Sequence, residues 1–170
     1  MPAPTYFLSV ESFVNRYQLS VAFKNGTALI EQYIHLYEKK YLYQLFGKEL
    51  ADLFYTDDSV ARFEDIKSEF AFEVEYNGCA RSYFCTGLTD ILSALVYVHY
   101  SREQLQISTS IGQIKPSVEA GSVANDNYTN TILLFNQAVK SSVILQRFLE
   151  HNKDIYPEYR GVELDSIWFA

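Results

Sequence analysis

Phe70-Ala71-Phe72-Glu73-Val74-Glu75-Tyr76-Asn77-Gly78 is where the chain changes its hydrophobic period, and that change decides the fold. Phe70, Phe72, Val74 and Tyr76 alternate with Ala71, Glu73 and Glu75, so an extended segment would carry its apolar groups on one face and two carboxylates on the other. Asn77-Gly78 comes next. Both central residues of a type I′ turn need positive φ, which Asn and Gly tolerate, so Cys79 to Cys85 reads as the returning strand and 70–85 as a β-hairpin. A lone hairpin is marginal in water; it has to pack on helices or join a neighbouring chain's sheet.

Working outward, the spacing on both sides is helical. Upstream, Val10, Phe13, Val14, Tyr17 and Val21 predict an amphipathic helix from about Ser9 to Phe23, broken by Asn25-Gly26. Thr27 opens a second helix with the stripe Ile30, Tyr33, Ile34, Tyr37, Tyr41 and Leu45, closed by Gly47. Leu29, Leu36 and Tyr43 widen that face, so this helix is either central or shared with another subunit. Short helices follow from about Lys48 to Tyr55 and from Asp58 to Ile66, the latter capped by Thr56 or Asp57.

Downstream, Thr86-Gly87 introduces a helix reaching about Gln106, with Leu88, Ile91, Leu92, Leu95, Val98 and His99 on one face. Residues 107–127 are rich in Ser, Thr, Gly and Asn and predict a long loop, with Ile111, Ile114 and Val118 as sparse apolar points. Asn125 or Asp126 is expected to cap a helix to about Asn152, with Tyr128, Ile132, Phe135, Val139, Val143, Phe148 and Leu149 inward. The expectation is a mainly α protein, a helical bundle of about four main helices with one small hairpin, a long loop and an extended C-terminal tail. Residues 1–153 form the helical domain, and 154–170 a docking tail, because an end such as Ile167-Trp168-Phe169 is costly to leave in water.

With 170 residues, 48% hydrophobic and 21% charged, one folded domain is expected, with a core that needs no metal or disulfide. Fourteen basic against 21 acidic residues give a net charge of −7, which excludes a chain dedicated to gripping a phosphate backbone. No export signal or membrane-length apolar run is read, so Cys79 and Cys85 are expected as free thiols in a reduced, intracellular setting. The sequons at Asn25 and Asn127 then read as chance. The excess of aromatics, 14 Tyr and 12 Phe, points to half-buried surfaces such as interfaces.

Catalytic and cofactor motifs are not found. Gly47-Lys48 lacks the preceding glycine of a phosphate loop, where Leu42 stands, and Glu49 replaces the hydroxyl ligand. His35, His99 and His151 sit on separate helices without a paired ligand, so His99 between Tyr97 and Tyr100 reads as a satisfied core or interface histidine. Two strand cysteines with a remote His99 make a poor zinc site by spacing. Asp57-Asp58 reads as a cap, and Glu73 with Glu75 as a solvated strand face rather than an acid–base pair. No catalytic, cofactor-binding or metal residue is therefore assigned, and no cofactor. The Tyr33, Tyr37, Tyr41 stripe reads as core or as a binding surface.

One stretch goes further. Gly87-Leu88, then Ala94-Leu95-Val96-Tyr97-Val98-His99-Tyr100-Ser101-Arg102, then Ser108-Thr109-Ser110-Ile111-Gly112 with Lys115-Pro116 and Glu119, resembles the central helix and loop of head-to-tail adaptor (connector) proteins of tailed bacteriophages. The likeness is nearest to adaptors of crAss-like and other Bacteroides-infecting phages. Glu31 to Leu53, with Tyr41-Leu42-Tyr43-Gln44-Leu45-Phe46-Gly47, and Asn127 to Tyr159 with its Tyr156-Pro157 exit are similar in order and placement; the match covers about two thirds of the chain.

What the resemblance implies is a non-enzymatic virion subunit, made in the host cytoplasm, that forms a ring of about twelve copies at the head–tail junction. Its partners would be other copies of itself, the portal protein above, and the next adaptor, stopper or tail ring below, with DNA only as passing cargo and no membrane. Candidate partner-binding residues are Tyr33, Tyr37, Tyr41, Ile111, Ile114, Lys115, Tyr156, Tyr159, Leu164, Ile167, Trp168 and Phe169; Glu73 and Glu75 are candidates to face the channel, where negative charge keeps DNA from sticking. Deleting 154–170 is then expected to leave the domain folded and to block joining of heads to tails. The alternatives are a small intracellular enzyme with an unfamiliar site and a host-directed binding protein.

Overall fold

The computed structural model describes residues 6–14, 17, 26–56, 61–104, 107–109, 112–114 and 121–165. Along these the order is α1 (Glu11–Val14), α2 (Gly26–Phe46), α3 (Lys48–Thr56), α4 (Ala61–Lys67), β1 (Phe70–Tyr76), β2 (Cys79–Cys85), α5 (Leu88–Gln104), β3 (Ile107–Thr109), β4 (Gly112–Ile114) and α6 (Gly121–His151). The six helices hold 65% of the described residues, so the chain is mainly helical, with β1 and β2 as the principal hairpin.

Helix α5 is the hub. Leu88, Ile91, Leu92, Leu95 and Val96 are completely buried, because α2, α6, α1 and α4 close around it. A helix apolar over most of its circumference can only be stable inside, and burying each such side chain stabilises the fold by about 2 kcal/mol. Helix α2 uses its broad face as expected, with Ile30, Tyr33, Ile34, Tyr41, Leu42, Leu45 and Phe46 buried. Leu36 is the exception, 65% exposed on the far side. Gly47 ends α2 with φ +80°, its N–H bonded to the Tyr43 carbonyl at 2.9 Å, and α3 starts at the next residue.

The hairpin has the expected register. Tyr76 pairs with Cys79 across Asn77 (φ 52°) and Gly78 (φ 76°), the positive pair a type I′ turn requires. Phe70 and Phe72 pack on Phe148 of α6, with ring centroids 4.8 and 5.2 Å apart, and Phe72 stacks on Tyr83 at 5.4 Å. The aromatic face therefore docks on α6.

Two expectations are corrected. The loop expected over 107–127 contains a second pair of short strands, β3 and β4, and α6 begins at Gly121, so Asn125 and Asp126 lie within it rather than capping it. The helix expected from Ser9 to Phe23 is observed as Glu11–Val14, and Tyr17 lies in a bend; 15, 16 and 18–25 are outside the described residues. The helix expected from about Asp58 to Ile66 is present as Ala61–Lys67, and 57–60, with the proposed cap Asp57, lie outside the described residues.

The chain after α6 belongs to the body. Tyr156, Tyr159 and Leu164 are buried. The Arg160 N–H donates to the Phe46 carbonyl at 3.0 Å and the Val162 N–H to the Gln44 carbonyl at 2.7 Å, while Gln146 Nε2 of α6 bonds the carbonyls of Leu45 and Val162. Arg62 of α4 holds the same segment through the Ile155 carbonyl and Glu158. The described part of the tail therefore docks in a groove of the helical body.

Candidate functional site

Two of the candidate residues, Glu73 and Glu75, stand on the outer side of the hairpin. Two-residue closure makes Tyr76–Cys79 a hydrogen-bonded pair, so the pairs Glu75–Ala80, Glu73–Ser82 and Ala71–Phe84 are the non-hydrogen-bonded ones, and their N–H and C=O groups point away from the partner strand. All six residues are exposed, with Phe84 at 57%. Ser82 Oγ donates to Glu73 Oε1 at 2.8 Å. Glu73 and Glu75 thus form an acidic, solvated face on a rigid strand.

The tyrosine stripe of α2 faces inward. Tyr33 and Tyr41 are buried, and Tyr37 is half-buried. Tyr33 meets Tyr100 of α5 edge-on at 5.8 Å, Tyr37 stacks on the His99 ring at 3.8 Å, and Tyr41 Oη lies 2.6 Å from His99 Nε2. Burial, with the Tyr37 hydroxyl adding to it, pushes the Tyr41 phenol up to about 12. His99 is held between two tyrosines, as a satisfied histidine should be. The stripe is occupied by α5 within the chain.

Glu38 is the site residue that periodicity passes over. It is completely buried and its carboxylate is fully dressed: the Phe7 N–H donates to Oε1 at 2.9 Å, the Leu8 N–H to Oε2 at 2.7 Å, and the Tyr55 hydroxyl to Oε1 at 2.8 Å. Burial raises its pKa above the usual carboxylate value, against the pull of those three bonds and of His35. Tyr6 stacks on His35 at 4.1 Å and Phe7 meets Phe54 edge-on at 5.1 Å, so the N-terminal segment is strapped across α2 and α3. The spacing Ile34, Glu38, Leu42 was the available signal, since four-residue steps place Glu38 on the apolar face.

Both cysteines are free, Cys79 exposed at the turn and Cys85 buried beside Ser141 at the strand's other end, about 20 Å away by strand rise. Among the described residues no three His, Cys, Asp or Glu side chains are grouped to hold a metal, and no helix is long and apolar enough to cross a membrane. A shallow cavity of about 360 Å³ lies among Ser12, Tyr17, Lys67, Ser68, Thr86, Thr89, Asp90 and Ser93. Two of its hydroxyls serve the fold: Thr86 Oγ1 bonds Ser141 Oγ at 2.8 Å, and Thr89 donates to the Lys67 carbonyl at 2.9 Å.

The chain matches no family model, no curated protein and no solved structure. The remaining candidates are placed as follows. Tyr156, Tyr159 and Leu164 are buried within the chain, and Ile114 ends β4. Ile111, Lys115, Ile167, Trp168 and Phe169 lie outside the described residues. Of the candidates whose side chains are described, Glu73 and Glu75 alone are exposed.

Proposed function

We propose that this chain is a structural virion subunit: a head-to-tail adaptor whose copies form a ring below the portal, joining the DNA-filled head to the next ring or tail and continuing the DNA channel. The observation that carries the reading is the hairpin, which presents two glutamates and two unpaired edges on a helical body. It stands beside the resemblance of residues 87–119 to phage adaptors. A ring subunit needs lateral surfaces that are not spent on its own core; the tyrosine stripe is spent, and the hairpin is not. An acidic face also suits a conduit, because it repels passing DNA.

The reading is tested by quantitative mass spectrometry of purified, DNA-filled particles from the source, counting this chain against the portal protein. A fixed ratio of one adaptor per portal subunit, or a simple multiple, is expected. Absence from clean particles overturns it and favours a host-directed binding protein.

A further inference from the structure

We infer that the hairpin is the lateral contact between copies: β2 of one copy adds to β1 of the next, antiparallel and head to tail. The inference deepens the ring reading and rests on it for the number of copies that close.

The argument starts from the edges. Among the described residues β1 and β2 form a two-stranded sheet in which each has one side without a strand partner, and each strand runs seven residues without proline or bulge. Among the described residues no backbone–backbone hydrogen bond outside the hairpin reaches Ala71, Glu73, Glu75, Ala80, Ser82 or Phe84. Long, flat, unpaired edges recruit another strand unless something blocks them. On the β2 edge the outward residues are Ala80, Ser82 and Phe84, which carry no charge and include an exposed aromatic.

Charge then selects the partner. Pairing β1 with β1 of a second copy, in registers centred on or between Glu73 and Glu75, sets glutamate against glutamate, and like charges directly opposite destabilise a sheet. Pairing β2 with β2 fails on the other face. There Arg81 of one copy meets Arg81 of the second, or lies against a Tyr83 ring that already carries the Arg147 guanidinium 5.7 Å from its centroid. A register centred on Tyr83 brings the two Tyr83–Arg147 pairs together.

Mixed pairing has neither fault. It sets Ser82 and Ala80 beside Glu73 and Glu75 on the outer face and Arg81 beside Val74 on the inner, the matching already realised within the hairpin. The β2 edge brings no carboxylate to the outer face, so Glu73 and Glu75 meet no like charge across the new pair. The complementary edges lie on opposite sides of one sheet. Copies joined that way repeat by rotation, and a rotation that returns on itself closes a ring.

Cross-linking between two single-site variants tests the pairing in the full-length chain. Glu73→Cys and Ser82→Cys, each made with Cys79→Ser, place one exposed thiol on the β1 or the β2 edge. Within one chain neither can bridge to itself, and in the mixed pairing the two sites sit about 5.5 Å apart between Cα atoms. The expected result is several-fold more bis-maleimide-linked dimer in the mixture than in either variant alone. Phe84→Glu added to the Ser82→Cys chain, which sets a like charge beside the neighbour's Glu73, should abolish it, with the circular dichroism spectrum unchanged. Dimer formed as readily by one variant alone, or no dimer as protein concentration is raised, overturns the pairing. The readout uses purified protein and no particle, so a failed pairing with the expected copy count leaves the ring standing with a different contact, whereas a chain absent from particles removes the ring whatever the cross-links show.

Discussion

Glu38 shows how a charged side chain can sit at zero exposure without opposing the fold. A buried carboxylate is costly unless its lone pairs are met, and here three donors meet them, two from backbone that would otherwise need partners of its own. Glu38→Gln replaces one acceptor oxygen with an NH₂ that faces donors. At pH 7 it is expected to cost about 2–3 kcal/mol in urea unfolding, the scale of hydrogen bonds to a charged group, and to free the Tyr6–Leu8 strap for proteolysis. The pH dependence has a sign that separates this site from a salt bridge. With the folded pKa raised above 4.5, Glu38's contribution to stability is fully present below that value and is lost as pH rises through the folded pKa. The stability gap between wild type and Glu38→Gln should therefore widen as pH falls toward 4.5; a gap that narrows on acidification would show that the carboxylate is held in its charged form. The helical step from Ile34 to Leu42 exposes Glu38's position to a reader of the sequence, but its partners, 31, 30 and 17 residues away, are set by tertiary packing.

At the scale of elements, the hairpin was legible because its information is local. Alternation fixes the two faces, and Asn77-Gly78 fixes the turn and therefore the register. Helices α2, α3 and α5 were legible for the same reason, each having an apolar arc with a glycine beside one end. The stretch around β3 and β4 was not, because Ile-Ser-Thr and Gly-Gln-Ile are too short to carry a period. Nor could spacing tell whether the α2 tyrosines meet a second subunit or α5, since both demand the same stripe. The C-terminal segment was legible as something that docks, while its receptor was not: it lies in the groove of α2, α4 and α6. Gly161 is the test of that docking. A Cβ at this position would collide with the Leu45 carbonyl, which is backbone, and with the ring of Tyr159, which is buried and has little room to yield. Gly161→Ala should push the segment off α2, breaking the Arg160–Phe46 and Val162–Gln44 hydrogen bonds, at about 3 kcal/mol from overpacking and lost bonds together. Calorimetry should show a Tm lowered by several degrees, and hydrogen exchange should show faster exchange at Arg160 and Val162; an unchanged Tm would mean the segment does not run through this groove.

For the whole molecule, the tyrosines tie α2, α5 and the C-terminal segment into one cooperative unit, and they titrate accordingly. Burial pushes the phenols of Tyr41, Tyr156 and Tyr159 up to about 12 and raises those of Tyr55 and Tyr100 as well. A phenol whose folded pKa lies above its unfolded value near 10 keeps its proton in the native state while the unfolded chain releases it. The stability it contributes is complete below pH 10 and disappears as pH climbs toward 12. These residues sit in different parts of one core: Tyr41 on His99 at the α2–α5 contact, Tyr55 on the Glu38 carboxylate, and Tyr156 donating to the Arg62 carbonyl between α4 and the C-terminal segment. None can ionise without loosening a different pair of elements, so the fold should fail as a unit rather than shed one helix. Following phenolate absorbance and far-ultraviolet circular dichroism together through an alkaline titration should show Tyr41, Tyr156 and Tyr159 keeping their protons past the ordinary phenol range and then ionising in a steep step that coincides with loss of helical signal. A single reversible titration of all 14 tyrosines near pH 10 with the helical signal preserved would contradict the burial that holds this core together.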